Sequence, residues 1–155
     1  GIMNNVTGET IYYYGCLITC VAMIARYYGA PNTTPVDVDE YIDGHGGYAA
    51  NSKTGEPGSY FPGWDYATKY IGKETGKNIT SEKNVSMTEV DEHLRNGDPV
   101  VLHVNGNSSD GHWVVAVGID ESGNYICLDP NGGKERIYTQ DQLHSDHKNV
   151  VFEEG

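Results

Sequence analysis

The chain has too few cysteines to form a disulfide framework. Only Cys16, Cys20 and Cys127 occur among its 155 residues. Cys16 and Cys20 lie one helical turn apart, so a bridge between them would constrain little of the fold. The cysteines therefore favour neither an oxidising nor a reducing compartment.

Basic residues are also scarce. The chain has 10 Lys and Arg residues against 22 Asp and Glu residues, which gives a formal net charge of −12 at pH 7. Because such a surface repels phosphate backbones and anionic lipids, we expect no nucleic acid and no anionic membrane as the main partner. No apolar run reaches the ~18 residues of a membrane span. The sequence also has no basic segment followed by an apolar one, which is the pattern of a secretory leader.

Tyrosine and glycine, in contrast, are abundant, with 12 and 20 residues. This composition and the chain length predict a single loop-rich globular domain over residues 1–155. The opening GIMNN and the closing FEEG carry no obvious tail, so we expect a module excised from a longer chain.

The first half of the chain predicts helices. Residues 1–14 are expected to be extended and irregular, and a helix fits residues 16–28, where apolar residues recur at three- and four-residue steps. Thr34 and Pro35 predict a second helix start, and residues 64–71 a short helix. Ser86 predicts a further N-cap, with Glu89 completing a capping box and Gly97 ending the helix. The Gly-rich stretch 44–63 is long enough to predict a functional loop that borders a substrate cleft.

The second half predicts strands. Five short β-rich runs follow Asp98, namely PVVLHV, HWVVAVGI, NYICLD, ERIY and NVVF, and turn residues separate them. Helices first and a mostly antiparallel sheet second predict an α+β fold.

Cys16 is the strongest candidate for a nucleophile. It follows Gly15 at the predicted start of the first helix, where the helix dipole would lower the pKa of a thiol. Cys20 lies one turn further inside and is expected to pack in the core. A zinc pair of Cys16 and Cys20 is a weak alternative, since only His45 offers itself as a further ligand.

His112 and Asp129 are the candidate partners of the thiol. A cysteine nucleophile needs an imidazole to take its proton, and the imidazole needs a third group to fix its tautomer. With DESG as a four-residue loop, Ile119 faces Asn124 and Val114 faces Asp129. Asp129 and His112 then lie on one sheet face as diagonal neighbours. We expect His103 to be structural and three other histidines to lie on the surface, His93, His144 and His147.

Three motifs resemble a known family. The segments YGCLITCVAMIARYYG, GHWVVAVGI and LDPNGG are similar to those of the double-glycine (bacteriocin-leader) peptidases, which are cysteine peptidases of the papain-like superfamily. The resemblance implies an α+β papain-like fold, in which the N-terminal central helix packs on the C-terminal antiparallel sheet. It also implies a catalytic triad of Cys16, His112 and Asp129.

One departure from the family concerns the side chain that helps to stabilise the oxyanion formed during the reaction. Leader peptidases carry a Gln about six residues before the cysteine, and this chain has Thr10 there, with glutamine only at positions 140 and 142. We expect the backbone N–H of Cys16 to serve instead, joined by a hydroxyl group of Thr10 or of Tyr14. Trp113 follows the candidate base His112. It either forms a wall of the substrate site or has only a packing role.

The resemblance implies a cysteine peptidase or amidase that hydrolyses a peptide or a cell-wall peptide, with no metal and no organic cofactor. We expect a monomer that is secreted or attached to the cell envelope of a bacterium or phage. Two alternatives stay open. The missing Gln favours a binding or accessory module with weak or no activity, and the same three groups would also serve a thiol acyltransferase.

Overall fold

The computed structural model describes residues 8–45, 64–106, 111–130 and 133–155, and of residues 8–14 it describes the backbone alone. The chain forms two compact units, Gly1–Ile79 and Thr80–Gly155. Most of the Gly-rich stretch 44–63 therefore lies outside the described residues, and its predicted place beside a substrate cleft stays a prediction.

Three helices make up the described part of the first unit. They are α1 (Gly8–Tyr27), α2 (Pro35–Gly44) and α3 (Trp64–Thr75), and each contacts the other two. The apolar stripe predicted for the first helix is confirmed, because its members are at most 8% exposed: Leu17, Cys20, Val21, Ile24 and Tyr28. None of the described helices is both long and apolar enough to cross a bilayer.

The predicted start of α1 is wrong. The helix begins at Gly8, so the expectation that residues 1–14 are extended fails from Gly8 onward, and Cys16 lies about two turns inside. The chain has no proline between Gly8 and Tyr27, and extending an existing helix fixes one residue for each hydrogen bond gained. Gly15, the predicted boundary, therefore does not interrupt the helix.

The predicted caps of the other helices are largely confirmed. The Thr34 side chain accepts a hydrogen bond from the Asp37 backbone N–H at 3.2 Å, and the Asp37 carboxylate accepts one from the Thr34 N–H at 2.9 Å. Ser86 caps α4 (Met87–Arg95) in the same way through the Glu89 N–H. The capping box predicted with Glu89 is not formed, because the Glu89 side chain accepts from the Ser86 hydroxyl group and not from the Ser86 N–H.

The described part of the chain from Ile79 onward contains a six-stranded sheet. Its strands are β1 (Ile79–Lys83), β2 (Val100–Val104), β3 (His112–Ile119), β4 (Tyr125–Leu128), β5 (Glu135–Tyr138) and β6 (Asn149–Glu154), in the spatial order β1-β6-β2-β3-β4-β5. The five predicted strands and the α+β class are confirmed. Strand β1 was not predicted, because ITSEK is polar and buries only Ile79.

One face of this sheet packs on α4. Val90 and Leu94 of the helix belong to one buried cluster with residues of the sheet. Its members are Val90, Leu94, Val100, Leu102, Val104, Val114, Ala116, Tyr125, Cys127, Leu143 and Val151. Since side chains alternate along a strand, this cluster defines which residues point to the α4 side.

A β-bulge at Val117 interrupts the pairing of β3 with β4. Next to the loop, Ile119 pairs with Tyr125, and the register shifts between Ala116 and Gly118. The prediction that Ile119 faces Asn124 is wrong by one residue, because the hairpin loop closes with the Asp120 N–H donating to the Asn124 carbonyl at 2.9 Å.

The bulge restores the predicted register at the other end of the hairpin. Beyond Val117, Val115 pairs with Leu128, which places Asp129 and His112 on the same face. If β3 paired through Val117 without a bulge, every pair beyond it would be shifted by one. His112 and Asp129 would then lie on opposite faces of the sheet.

Gly111 occupies a position that accommodates no larger residue. Its φ is +78°, and a Cβ atom there would lie 2.6 Å from His103 Nε2 and 2.7 Å from the carbonyl oxygen of Val104. The chain can therefore enter β3 at His112 only through a glycine.

Gly111→Ala should lower the free energy of unfolding by about 3 kcal/mol or more, since it adds a backbone clash to a left-handed φ. Gly123→Ala is the matched control. Gly123 has a φ of +79° but nothing within 4 Å of the added atom, so we expect a loss of only about 1–2 kcal/mol. Urea denaturation measures both losses. Equal losses would mean that the contacts of the added Cβ atom with His103 and Val104 do not contribute to the destabilisation.

Candidate active site

A buried histidine–carboxylate pair lies at the end of the β3–β4 hairpin. His112 Nε2 is 3.0 Å from Asp129 Oδ1, and Asp129 is only 3% exposed. The His112 side chain retains 18% of its exposure. A buried acid bonded to a partly accessible imidazole is the arrangement found where a histidine acts as base.

The contact decides which nitrogen of His112 can exchange a proton. A neutral imidazole donates through one nitrogen and accepts through the other. An ionised Asp129 accepts only, so Nε2 carries the hydrogen and Nδ1 is the nitrogen that presents a lone pair. The pair therefore fixes both the orientation and the tautomer of the ring.

The backbone around Asp129 is itself constrained. The Asp129 N–H donates to the carbonyl of Lys134 at 2.9 Å, and its carbonyl accepts from the Gly133 N–H at 2.8 Å. These bonds close the turn between β4 and β5. Asp129 is thus held at the strand end from which its side chain reaches His112.

The three cysteines differ in accessibility. Cys16 is half-buried on α1, whereas Cys20 and Cys127 are 0% exposed. The prediction that Cys20 packs in the core is confirmed by this burial. Burial, together with the charge of Asp129, raises the pKa of Cys127 to about 12, which keeps that thiol protonated.

Comparison with known proteins identifies the family. The model of the Peptidase_C39 like family matches residues 3–153. The chain belongs to this family. The comparison with curated proteins gives no match.

Two solved structures are similar to this C39-like chain. The peptidase domain of Streptococcus ComA, a bifunctional ABC transporter involved in a quorum-sensing pathway, aligns with a TM-score of 0.60 and 18% identity over 90% of each chain. A C39-like peptidase of Bacillus anthracis aligns with a TM-score of 0.54 and 16% identity, over 90% of this chain and 88% of that one. The predicted family and the papain-like α+β fold are confirmed.

The site residues suggested for the oxyanion are described only in part. Thr10 and Tyr14 belong to α1, but their side chains lie outside the described part of this C39-like chain. The backbone N–H of Cys16, a third expected donor, lies inside the helix, where N–H groups bond the carbonyl four residues earlier. The helix start at Gly8 therefore removes the expected role of the Cys16 N–H.

Trp113 lies on the opposite face of the sheet from His112 and Asp129. It faces His103 across β2 and β3, and the two rings stack with centroids 4.3 Å apart and planes 15° apart. This contact supports a packing role for Trp113. A role as a wall of the substrate site stays a prediction.

His103 is the centre of a second cluster that sequence analysis missed. Its Nδ1 lies 2.9 Å from the Asp146 carboxylate, and its other face stacks on His144 with centroids 4.2 Å apart. The structural role predicted for His103 agrees with its 6% exposure. His144, expected on the surface, is half-buried instead, because the segment after the 3₁₀-helix Gln140–Gln142 returns to the β2 end.

This cluster has the residue types of a metal site but not the geometry. One ligand atom from each of His103, His144 and Asp146 lies within 4.8 Å of the others. The two imidazole planes, however, are stacked 22° from parallel. Lone pairs lie in the ring planes, so rings stacked in this way do not both point at one ion.

Asp146 links the cluster to stability. Burial by itself would raise the pKa of Asp146, but the Lys148 N–H, the His103 hydrogen bond and the histidine charges outweigh it and lower that pKa. A lowered folded-state pKa contributes stability above the unfolded value of about 3.9, and this stability is lost as the pH falls through the folded value.

Asp146→Asn should therefore lower the free energy of unfolding by about 1 kcal/mol or more at pH 7, and the difference from wild type should shrink below about pH 4. Urea denaturation across this range tests it. Glu121→Gln, on the exposed β3–β4 loop, is the control and should change little at any pH. If the difference in unfolding free energy between Asp146→Asn and wild type stays unchanged at low pH, the ionised Asp146 carboxylate is not the source of this stability.

Proposed function

We propose that this C39-like protein is a cysteine peptidase that hydrolyses an amide bond through Cys16, His112 and Asp129. The observation that carries the proposal is the 3.0 Å contact between His112 Nε2 and a carboxylate that is 3% exposed. Membership of a peptidase family supports the same reaction class.

In the first half of the reaction, the Cys16 thiol transfers its proton to His112 Nδ1 and the sulfur attacks the amide carbonyl carbon. The tetrahedral intermediate then collapses as the C–N bond breaks, and His112 returns the proton to the leaving amine. The product is a thioester on Cys16. Asp129 stabilises the imidazolium that exists between the two transfers.

In the second half, water replaces the amine. His112 takes a proton from water, the hydroxyl oxygen attacks the thioester carbonyl, and the C–S bond breaks. The proton returns to Cys16, and the carboxylic acid product leaves. An amine in place of water would give the acyltransferase alternative with the same groups.

His112 is the group that activates the thiol in this proposal. The dipole of a helix acts on groups within its first turn. Because Cys16 lies about two turns inside α1, the dipole contributes little to lowering its pKa. We infer that Cys16 becomes a nucleophile chiefly by sharing its proton with His112.

The oxyanion donors remain the hydroxyl groups of Thr10 and Tyr14. The chain lacks the Gln expected before Cys16, and loss of one such donor typically costs about 10²–10³-fold in rate. We therefore propose a slow enzyme. The substrate we propose is a peptide or a peptidoglycan cross-link, processed by a monomer that is secreted or attached to the envelope of a bacterium or phage.

Turnover should depend on the three residues in a graded way. With fluorogenic peptides and muropeptides as substrates, Cys16→Ala and His112→Ala should abolish hydrolysis, and Asp129→Asn should reduce kcat by about 10²–10⁴-fold. Cys20→Ala is the matched control, a buried thiol one turn along α1, and should keep wild-type turnover. Hydrolysis that survives in Cys16→Ala would refute the proposed nucleophile.

Thiol labelling distinguishes an active enzyme from a non-catalytic module. The missing Gln is the observation that favours the non-catalytic module. In native protein at neutral pH, iodoacetamide should modify Cys16 and leave the fully buried Cys20 and Cys127 unmodified, as measured by mass spectrometry. His112→Ala should slow the labelling of Cys16. If Cys16 reacts as sluggishly as the buried pair, the non-catalytic module is the better description.

A further inference from the structure

The second oxygen of the Asp129 carboxylate has its own partners. Oδ1 meets His112, whereas Oδ2 accepts a hydrogen bond from the Tyr138 hydroxyl group at 3.3 Å and lies 3.4 Å from Arg136 Nε. Both partners come from the edge strand β5. Neither is explained by the packing of the core, because the side chain of Arg136 is 58% exposed and Tyr138 is only half-buried.

The strand register brings these side chains to one face. Cys127 pairs with Arg136, and Tyr125 pairs with Tyr138. Asp129 follows Cys127 by two residues, so all of these side chains point to the same side of the sheet. Arg136 is therefore a diagonal neighbour of Asp129. Tyr138 lies two residues further along β5 on the same face, and its hydroxyl group bonds the carboxylate from there.

An aspartate bonded through one oxygen alone is poorly oriented. The torsion that turns its carboxylate plane is broad, so the group can rotate while its position stays fixed. A second donor on Oδ2 restricts that rotation. In the described structure this restriction keeps Oδ1 directed at His112 Nε2.

We propose that Tyr138, with Arg136 as its ionic partner, is a positioning residue that holds the Asp129 carboxylate and thereby fixes the tautomer of His112. As regards catalysis this inference rests on the proposed function, because the tautomer matters only if His112 Nδ1 exchanges a proton with Cys16. Tyr138 acts through Asp129 and does not touch the reacting atoms.

Tyr138 is the better anchor of the two. Its hydroxyl group donates from a ring that is half-buried, whereas the exposed Arg136 side chain exchanges its contact with water. Burial and the neighbouring Asp129 raise the pKa of Tyr138, so the phenol remains a protonated donor over the pH range in which a histidine titrates.

Tyr138→Phe tests the proposal because it removes one oxygen and keeps the ring. Nitrogen-15 NMR of His112 in the neutral state should report a single tautomer with hydrogen on Nε2 in the parent protein and a mixture of tautomers in the variant. We also expect kcat/KM to fall about 10-fold with KM changed less than about 2-fold, as for other partners that orient a functional side chain.

Tyr125→Phe is the matched control. Tyr125 is the cross-strand partner of Tyr138, is 1% exposed, and donates its hydroxyl group to Asp91 at 2.9 Å, away from Asp129. Its loss should cost stability but leave the His112 tautomer and kcat/KM unchanged. In an Asp129→Ala background, Tyr138→Phe should add no further change in the tautomer ratio.

The NMR measurement is made in Cys16→Ala protein without substrate, so it stands apart from the proposed function. If the wild type hydrolyses nothing but Tyr138→Phe mixes the tautomers, the positioning role holds and the proposed function fails. If Tyr138→Phe retains a single Nε2–H tautomer, or if Tyr125→Phe mixes the tautomers equally, the positioning role is overturned whatever the activity.

Discussion

The register of the β3–β4 hairpin is the constraint on which the candidate site depends. The extra residue at Val117 shifts the pairing by one position between the loop and the strand ends. Because side chains alternate along a strand, that single shift decides whether His112 shares a face with Asp129. The same shift keeps Val114 and Ala116 in the buried cluster that packs on α4. The core and the dyad of His112 and Asp129 are therefore specified together.

The dyad places a carboxylate in a buried position within a strongly acidic protein. Burial of an isolated charge is costly, and it is tolerated where hydrogen bonds and an opposite charge surround the ion. Asp129 meets this condition through His112 on one oxygen and through Tyr138 and Arg136 on the other. One of the few basic residues of the chain, the exposed Arg136, thus lies next to the buried acid.

The position of Cys16 within α1 changes the account of how its thiol would ionise. At a helix start, the peptide dipole and the unpaired N–H groups would have supplied both a lowered pKa and an oxyanion donor. Inside the helix neither is available, so in the proposed mechanism activation depends on the imidazole and oxyanion stabilisation on side chains. These two losses, together with the missing Gln, are the basis of the proposal that the enzyme is slow.

Local patterns in the sequence determined much of this protein. Thr34 and Ser86 specify helix starts, short β-rich runs between turn residues specify five of the six described strands, and the motifs around Cys16, His112 and Asp129 indicate the family and its fold. The start of α1 was predicted wrongly, because Gly15 weakens a helix without ending it. Only the tertiary structure decided the bulge at Val117, the anchoring of Asp129 from β5 and the stacking of His103 on His144, since these depend on which side chains meet across neighbouring strands and loops. Residue type and short spacing fix where an element begins, whereas the partner of a buried polar group is fixed by which strands become neighbours.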